Sequence, residues 1–222
     1  MNRIGLIRTL TTSDRPLFHT HGQVLQAALP VSVESRSIPG QPDGVHDAES
    51  LARAVPRVRA LAAELAPQVD GILISCSADP GLPEAREAAG IPVAGAGSSG
   101  AAAALALGSR VGVLGITPEA PAAAADVLGG PLAAVEAPPS VRVTTDLLTP
   151  TGVFETLEAS ERLADAGADV ILLACTGLTS MGVARELRRR LGLPVVDGVL
   201  AAGAALACGN GPTPRPRPRA AA

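Results

Sequence analysis

A short apolar strand that ends in a thiol occurs twice in this chain. Val69-Asp70-Gly71-Ile72-Leu73-Ile74-Ser75 runs into Cys76, and Ala168-Asp169-Val170-Ile171-Leu172-Leu173-Ala174 runs into Cys175; a Gly- and polar-rich turn follows each thiol. The duplication reaches further. Arg3-Ile4-Gly5-Leu6-Ile7 returns as Arg110-Val111-Gly112-Val113-Leu114, and Gly90-Ile91-Pro92-Val93 returns as Gly192-Leu193-Pro194-Val195. The Gly-Ala-Leu stretch from Gly100 to Gly108 has its counterpart from Gly203 to Gly209. The copies are offset by about a hundred residues, a period that implies one unit used twice as two similar lobes, not a solenoid.

Seven runs read as strands: Arg3 to Ile7, Val31 to Ser35, Gly71 to Ser75, Pro92 to Ala94, Arg110 to Gly115, Val170 to Ala174 and Pro194 to Val196. Continuous apolar runs without alternation suit parallel strands covered on both faces. Between them Leu51, Val55, Val58, Leu61, Ala62 and Leu65 recur at helical spacing, with Pro56 expected to start or kink that helix. Val153, Leu157 and Ala164 give the second lobe a similar segment. The expected fold class is α/β, two pseudo-symmetric lobes, each a parallel sheet flanked by helices, with the active site in the cleft between them. The expected lobes are residues 1–97 plus 198–208, whose last helix packs back on the first lobe, and residues 98–197. Residues 209–222, with Pro214-Arg215-Pro216-Arg217-Pro218-Arg219, read as a disordered tail.

Composition narrows the function classes. A length of 222 residues at 47% hydrophobic content permits two small lobes with ample core, and hence an enzyme. A formal net charge of −3 and 1% aromatic content give no basic, aromatic-interleaved face for nucleic acid. All 18 basic residues are arginine, so neither a pyridoxal Schiff base nor a Walker lysine is available. Three cysteines without scaffold spacing, and a start too short and too charged for a signal peptide, lead us to expect reduced thiols in a cytoplasmic protein. The longest Ala/Leu stretch, Ala101 to Leu107, falls far short of the roughly 18 apolar residues of a membrane span.

In open parallel sheets the ligand lies beyond the carboxyl ends of the strands, where turn amides and helix amino termini point, and both Cys76 and Cys175 stand at that edge. Cys76-Ser77-Ala78-Asp79-Pro80-Gly81-Leu82, with Gly90-Ile91-Pro92-Val93 after it, resembles the first cysteine segment of hydantoin racemases, Cys-Phe-Gly-Asp-Pro-Gly-Leu, and its following strand. Cys175-Thr176-Gly177 resembles the second cysteine motif of the aspartate/glutamate/hydantoin racemase superfamily. The resemblance extends to about Cys208. It implies two α/β lobes about a pseudo-twofold axis, cofactor-independent stereoinversion of a small-molecule substrate next to a carbonyl, and a homo-oligomer. Two departures bear on substrate choice: the Asn-Thr and Thr-acid or Thr-His pairs of amino-acid racemases are replaced by Ser77-Ala78 and Thr176-Gly177, and the Asn-Pro-Asn-Thr-like loop of hydantoin racemases by Arg8-Thr9-Leu10-Thr11-Thr12.

Two thiols across a cleft suit that chemistry. Inversion at Cα needs a base on one face and an acid on the other, which a thiolate and a thiol supply. With a free thiol at a pKa of roughly 8.5, the basic partner needs activation by turn amides or a nearby charge. Cys76 and Cys175 are therefore the expected catalytic pair. Backbone amides around Ser77, Ala78, Thr176 and Gly177 are expected to stabilise the enolate, Ser98 and Thr117 to hold a substrate carboxylate or imide, and Arg8 or Thr12 an anionic group; Arg8 suits a surface ion pair equally well. No metal is expected, because His19 and His21 are spaced wrongly for joint ligation on a helix, and the resemblance implies no cofactor. His46 reads as solvent-exposed, Cys208 as packing, and Asp79 as the cap of the helix that follows it. Arg188-Arg189-Arg190 reads as a solvated helix end, and Gly95-Ala96-Gly97-Ser98-Ser99-Gly100 lacks the acid a dinucleotide fingerprint requires. The expected activity is racemisation of an amino acid or a cyclic derivative such as a 5-substituted hydantoin. Alternatives are a maleate-type cis–trans isomerase, a decarboxylase of the same superfamily, and a non-catalytic small-molecule-binding protein.

Overall fold

The computed structural model describes residues 2–209. The first half runs β1 (Asn2–Arg8), α1 (Arg15–Ala28), β2 (Val31–Ser37), α2 (Ala48–Leu65), β3 (Gly71–Ser75), α3 (Leu82–Ala89), β4 (Val93–Gly95) and α4 (Ala96–Leu105). The second runs β5 (Val111–Leu114), α5 (Ala122–Leu128), β6 (Leu132–Glu136), α6 (Pro150–Asp165), β7 (Val170–Leu173), α7 (Thr176–Met181), α8 (Ala184–Leu191), β8 (Val195–Asp197) and α9 (Gly198–Gly209). The strands form two four-stranded parallel sheets of matching order, β2-β1-β3-β4 and β6-β5-β7-β8. The Pro/Arg tail lies outside the described residues except for Gly209, which ends α9.

Seven of the eight strands coincide with the apolar runs of the sequence. The eighth, β6, is a half-exposed edge strand whose Leu-Ala-Ala-Val-Glu sequence carries weak strand propensity, and its register against β5 shifts at Val111/Gly112. Pro56 lies inside α2, which continues on both sides of it. A capping box between Asp47 and Ser50 starts that helix.

The final helix of each half crosses to the other sheet. Ala101 and Ala104 of α4 pack with Val111, Val113, Val170 and Leu172 of the second sheet, joined by Ala124 and Leu128 of α5. Val199, Ala202 and Leu206 of α9 pack with Ile4, Leu6 and Leu73 of the first sheet and Leu25 of α1. The opposite faces are covered locally, by Ala54, Val58, Ala62 and Leu65 of α2 in the first half and by Ala159 and Leu163 of α6 in the second. Each fully buried Leu or Ile stabilises by about 1.5–3 kcal/mol relative to exposure, so the exchange fixes the two sheets against each other through core packing.

Small residues let α4 and α9 meet. A side chain at Gly198 would run into the Ala96 carbonyl oxygen, and a Cβ at Gly100 would stand 3.0 Å from Gly198 Cα. Gly100 of the first Gly-Ala stretch thus meets the start of α9, while Gly203 of the second lies against Leu25 of α1.

Candidate active site

Cys76 follows β3 directly and Cys175 stands just past β7, so the matching sheets bring both thiols to the carboxyl edges that face each other. They line one cavity of about 190 Å³. Arg8, Thr9, Ser75, Ser77, Ala78, Thr117, Thr144, Thr176 and Gly177 surround them, with Leu10, Val45, Leu51, Ile116, Pro121 and Ala122 as an apolar wall. The volume is below the roughly 300 Å³ at which pockets for drug-sized ligands begin, so a small ligand fits it.

Both thiols are buried, 6% and 8% exposed. Burial pushes Cys76 up to about 12; the Thr9 hydroxyl and the Ala78 amide pull against that rise, while the neighbouring Cys175 and Asp79 add to it. Cys175 is pushed up to about 11 by burial, opposed by the Gly177 and Leu178 amides and the Thr144 hydroxyl. Cys175 is the residue from which α7 starts, so amides of the first turn lie beside its sulfur. Cys208 is exposed on α9, away from the cavity.

Asp79 holds the turn after Cys76. It adopts a left-handed backbone, φ 47°, which Asp tolerates better than most residues. Its carboxylate accepts from the Gly97 amide at 2.8 Å, the Ser98 amide at 2.9 Å and the Ser98 hydroxyl at 2.6 Å. Asp79 therefore caps α4, not the helix that follows it; α3 starts from Gly81 with no side-chain cap. Gly95 and Gly97 are required there, since a Cβ on the first would collide with the Asp79 carboxylate and one on the second with the Ser77 carbonyl oxygen. The Gly-Ala-Gly-Ser segment serves this docking.

Of the sequence-selected residues, Arg8, Ser77, Ala78, Thr117, Thr176 and Gly177 line the cavity with the two cysteines, whereas Ser98 and Thr12 do not. Ser98 is turned to Asp79 because α4 starts beneath the Cys76 turn. Thr12 lines a separate, more open pocket with Arg15 and His19, its Oγ1 accepting from the Asp14 amide. Arg8 is not in a loop or a surface ion pair: it is the last residue of β1, 3% exposed, with Nη1 donating to the Leu17 carbonyl at 2.8 Å. Burial lowers it to about 10, which leaves it charged at neutral pH. Thr117 donates to the Glu119 carbonyl at 2.8 Å.

Sequence reasoning passed over Thr9, Thr144, His46 and His21. Thr9 was findable, since it is the first residue beyond β1 at the carboxyl edge. Thr144 opens a short 3₁₀ helix (Thr144–Leu148) after the unread strand β6, with no local signal. Its amide donates to the Asp43 carbonyl at 3.3 Å, closing one half over the other. His46 is not solvent-exposed but lines the cavity, its side chain 22% exposed. Arg8 Nε, His46 Nδ1 and Ser77 Oγ are buried polar atoms with no hydrogen-bond partner among the described residues, and all three residues belong to this cavity wall. Such atoms cost stability unless something satisfies them.

A family model described as Asp/Glu/Hydantoin racemase matches residues 19–206. A hydantoin racemase from Pseudomonas sp. (strain NS671) is 30% identical over 145 residues, covering 60% of this chain and 55% of that protein. The chain thus spans a little over half the length of the curated relatives it matches. Allantoin racemase from Klebsiella pneumoniae superposes with a TM-score of 0.82 at 26% identity, covering 96% of this chain and 91% of its own. Allantoin racemase from Pseudomonas fluorescens shares the fold at a TM-score of 0.77 and 21% identity, over 97% of this chain and 98% of its own. No helix among the described residues is long and apolar enough to cross a membrane.

Proposed function

Because the chain belongs to the Asp/Glu/hydantoin racemase family, we propose that it inverts a carbon acid next to a carbonyl without a cofactor, using Cys76 and Cys175 as base and acid. We infer a small cyclic amino-acid derivative, such as a 5-substituted hydantoin, as substrate. One observation carries this reading: two thiols, one from each half of the duplication, line a single small cavity.

In the proposed reaction one thiolate takes the Cα proton, and the electron pair moves into the adjacent carbonyl to give an enolate. The opposite thiol then delivers a proton to the other face and is left as thiolate. The enantiomer is used with the roles reversed. The Ser77 hydroxyl, unpartnered among the described residues, and amides of the two cysteine turns are the groups placed to stabilise enolate oxygen in this cavity.

The lining favours a neutral ring over a free amino acid. A zwitterion needs partners for both a carboxylate and an ammonium group. Arg8 Nη1 is engaged by the Leu17 and Phe18 carbonyls and its unpartnered Nε remains for an anionic group, but the Asp47 side chain is 53% exposed, so an ammonium group lacks a buried carboxylate partner among the described residues of the wall. Hydroxyls and unpaired polar atoms dominate the rest of the polar wall, which suits the N–H and C=O groups of a ureide ring. The named activity of the Pseudomonas relative agrees with this choice.

The test is proton NMR of Cα–H exchange in deuterated water, with optical rotation, over hydantoins and free amino acids. We expect exchange and racemisation with 5-substituted hydantoins, abolished in Cys76→Ala and in Cys175→Ala. Exchange only with free amino acids would reverse the substrate assignment. Absence of exchange throughout, with both thiols alkylating as ordinary cysteines, would remove the racemase reading.

A further inference from the structure

His21 does not line the cavity, yet it joins the two segments that carry the thiols. It lies on the buried face of α1, 1% exposed. Its Nδ1 is 2.7 Å from Ser75 Oγ and its Nε2 is 2.8 Å from Ser180 Oγ. Ser75 is the last residue of β3 and immediately precedes Cys76. Ser180 belongs to α7, the helix that Cys175 starts. One imidazole thus spans from the segment of one thiol to the segment of the other, and a second link lies beside it, Thr176 Oγ1 donating to the Ser75 carbonyl at 3.3 Å.

We propose that His21 is a positioning residue for the two-thiol reaction, its imidazole setting the distance between the Cys76 and Cys175 segments across the interface of the halves. This proposal rests on the racemase reading above. A neutral imidazole offers one donor and one acceptor, and a serine hydroxyl can complement either, so both ring nitrogens are satisfied in a single tautomer. Burial and the nearby Arg8 charge hold the His21 pKa well below its ordinary value, so the ring stays neutral. A planar ring buried between two hydroxyls has little freedom to change the span. Proton transfer from carbon requires reacting atoms held near van der Waals contact, and a misplacement of about 1 Å costs roughly 100-fold in rate.

The experiment uses the full chain in a Cys208→Ala background and compares the parent with His21→Asn, His21→Gln, His21→Leu, Ser180→Ala and the His21→Leu/Ser180→Ala double variant. Asparagine places its amide near the Nδ1 position facing Ser75, and glutamine near the Nε2 position facing Ser180. The readouts are kcat and KM for each enantiomer of a hydantoin, and the yield of the Cys76–Cys175 cross-link formed by dibromobimane, which needs no catalysis. We expect His21→Leu to lose ~10- to 100-fold in kcat with KM within about threefold of the parent, and to cross-link less. His21→Asn, His21→Gln and Ser180→Ala should each lose part of that kcat, and the double variant no more than His21→Leu.

Parent kcat and parent cross-linking in folded His21→Leu would overturn the proposal, as would a double variant whose losses multiply. Should His21→Leu not fold, the asparagine, glutamine and Ser180 variants decide by the same two readouts. If the parent itself racemises nothing, the racemase reading fails; the cross-link yields then still test the bridge, a reduced yield supporting it and an unchanged one overturning it.

Discussion

The two halves of the chain carry equivalent strands to equivalent sheet positions and diverge at the thiol. After Cys76 the backbone makes a turn with Asp79 in a left-handed conformation, and that turn is held from below by the start of α4. After Cys175 the backbone enters a helix at once, so two amides and the Thr144 hydroxyl lie beside the sulfur. Burial raises both thiols, and the one at the head of the helix is raised less. Duplication therefore delivered two thiols to one cavity without making them equivalent.

The largest expected effect breaks the pair. Replacing either cysteine by alanine should lower kcat for racemisation by at least ~1,000-fold, since a general acid or base alone contributes about 10²–10⁴ and inversion needs both. Equal activity in either variant, read by polarimetry, would end the two-thiol mechanism. The comparison is sharpened by titrating each thiol alone. In Cys76→Ala and Cys175→Ala proteins, pH-dependent alkylation mapped by peptide mass should place Cys175 below Cys76, with both well above an ordinary thiol. Because both are protonated at neutral pH, kcat/KM of the parent should rise about tenfold per pH unit from pH 7 to 9. Stability runs the opposite way. An unfolded thiol ionises at roughly 8.5, the folded ones at about 12 and about 11, so the unfolded chain loses protons first. Stability should fall as pH rises above the unfolded value, and urea midpoints should show the fall less in the alanine variants.

Stability tests the turn itself. Asp79→Ala removes the acceptor of two buried amides and a hydroxyl, and should cost about 2–3 kcal/mol in urea unfolding. Asp197→Ala, which removes bonds at 2.9 and 3.2 Å to the amides of Val199 and Leu200 in α9, should cost about 1 kcal/mol. The smallest effect separates the two sulfur environments. Thr144→Val and Thr9→Val each remove one hydroxyl beside one thiol and should lower kcat/KM by about three- to tenfold, with the alkylation midpoint moving only for the adjacent cysteine. A shift at the distant thiol would contradict the assignment.

Much of this was legible in the sequence because burial leaves a pattern. Parallel strands covered on both faces must be continuously apolar, so seven strands stand out; β6, half-exposed at an edge and rich in alanine, does not. The thiols were legible because a repeat fixes equivalent positions in equivalent sheets. Asp79 was misplaced because local sequence cannot tell a residue's own helix from a neighbouring one, and His46 because residues that enclose the cavity with it, such as Thr117 and Thr144, come from the other half. Asp79 before Pro80 has the pattern of a cap for α3, yet the amides it meets belong to α4, which the fold brings beneath it. His21 carried one faint signal, its position one turn before Leu25 on the buried face of α1.

By itself, then, the sequence determined seven strands, the parallel sheets, the duplication and the strand-end placement of Cys76 and Cys175, all properties set by hydrophobic periodicity and chain connectivity over short distances. Only the tertiary structure decided that Gly100 and Gly198 bring α4 against α9, that Thr9, Thr144 and His46 join the cavity, and that His21 spans Ser75 and Ser180. Those contacts link residues tens to more than a hundred positions apart. They depend on side-chain packing across two sheets, and no local spacing encodes it.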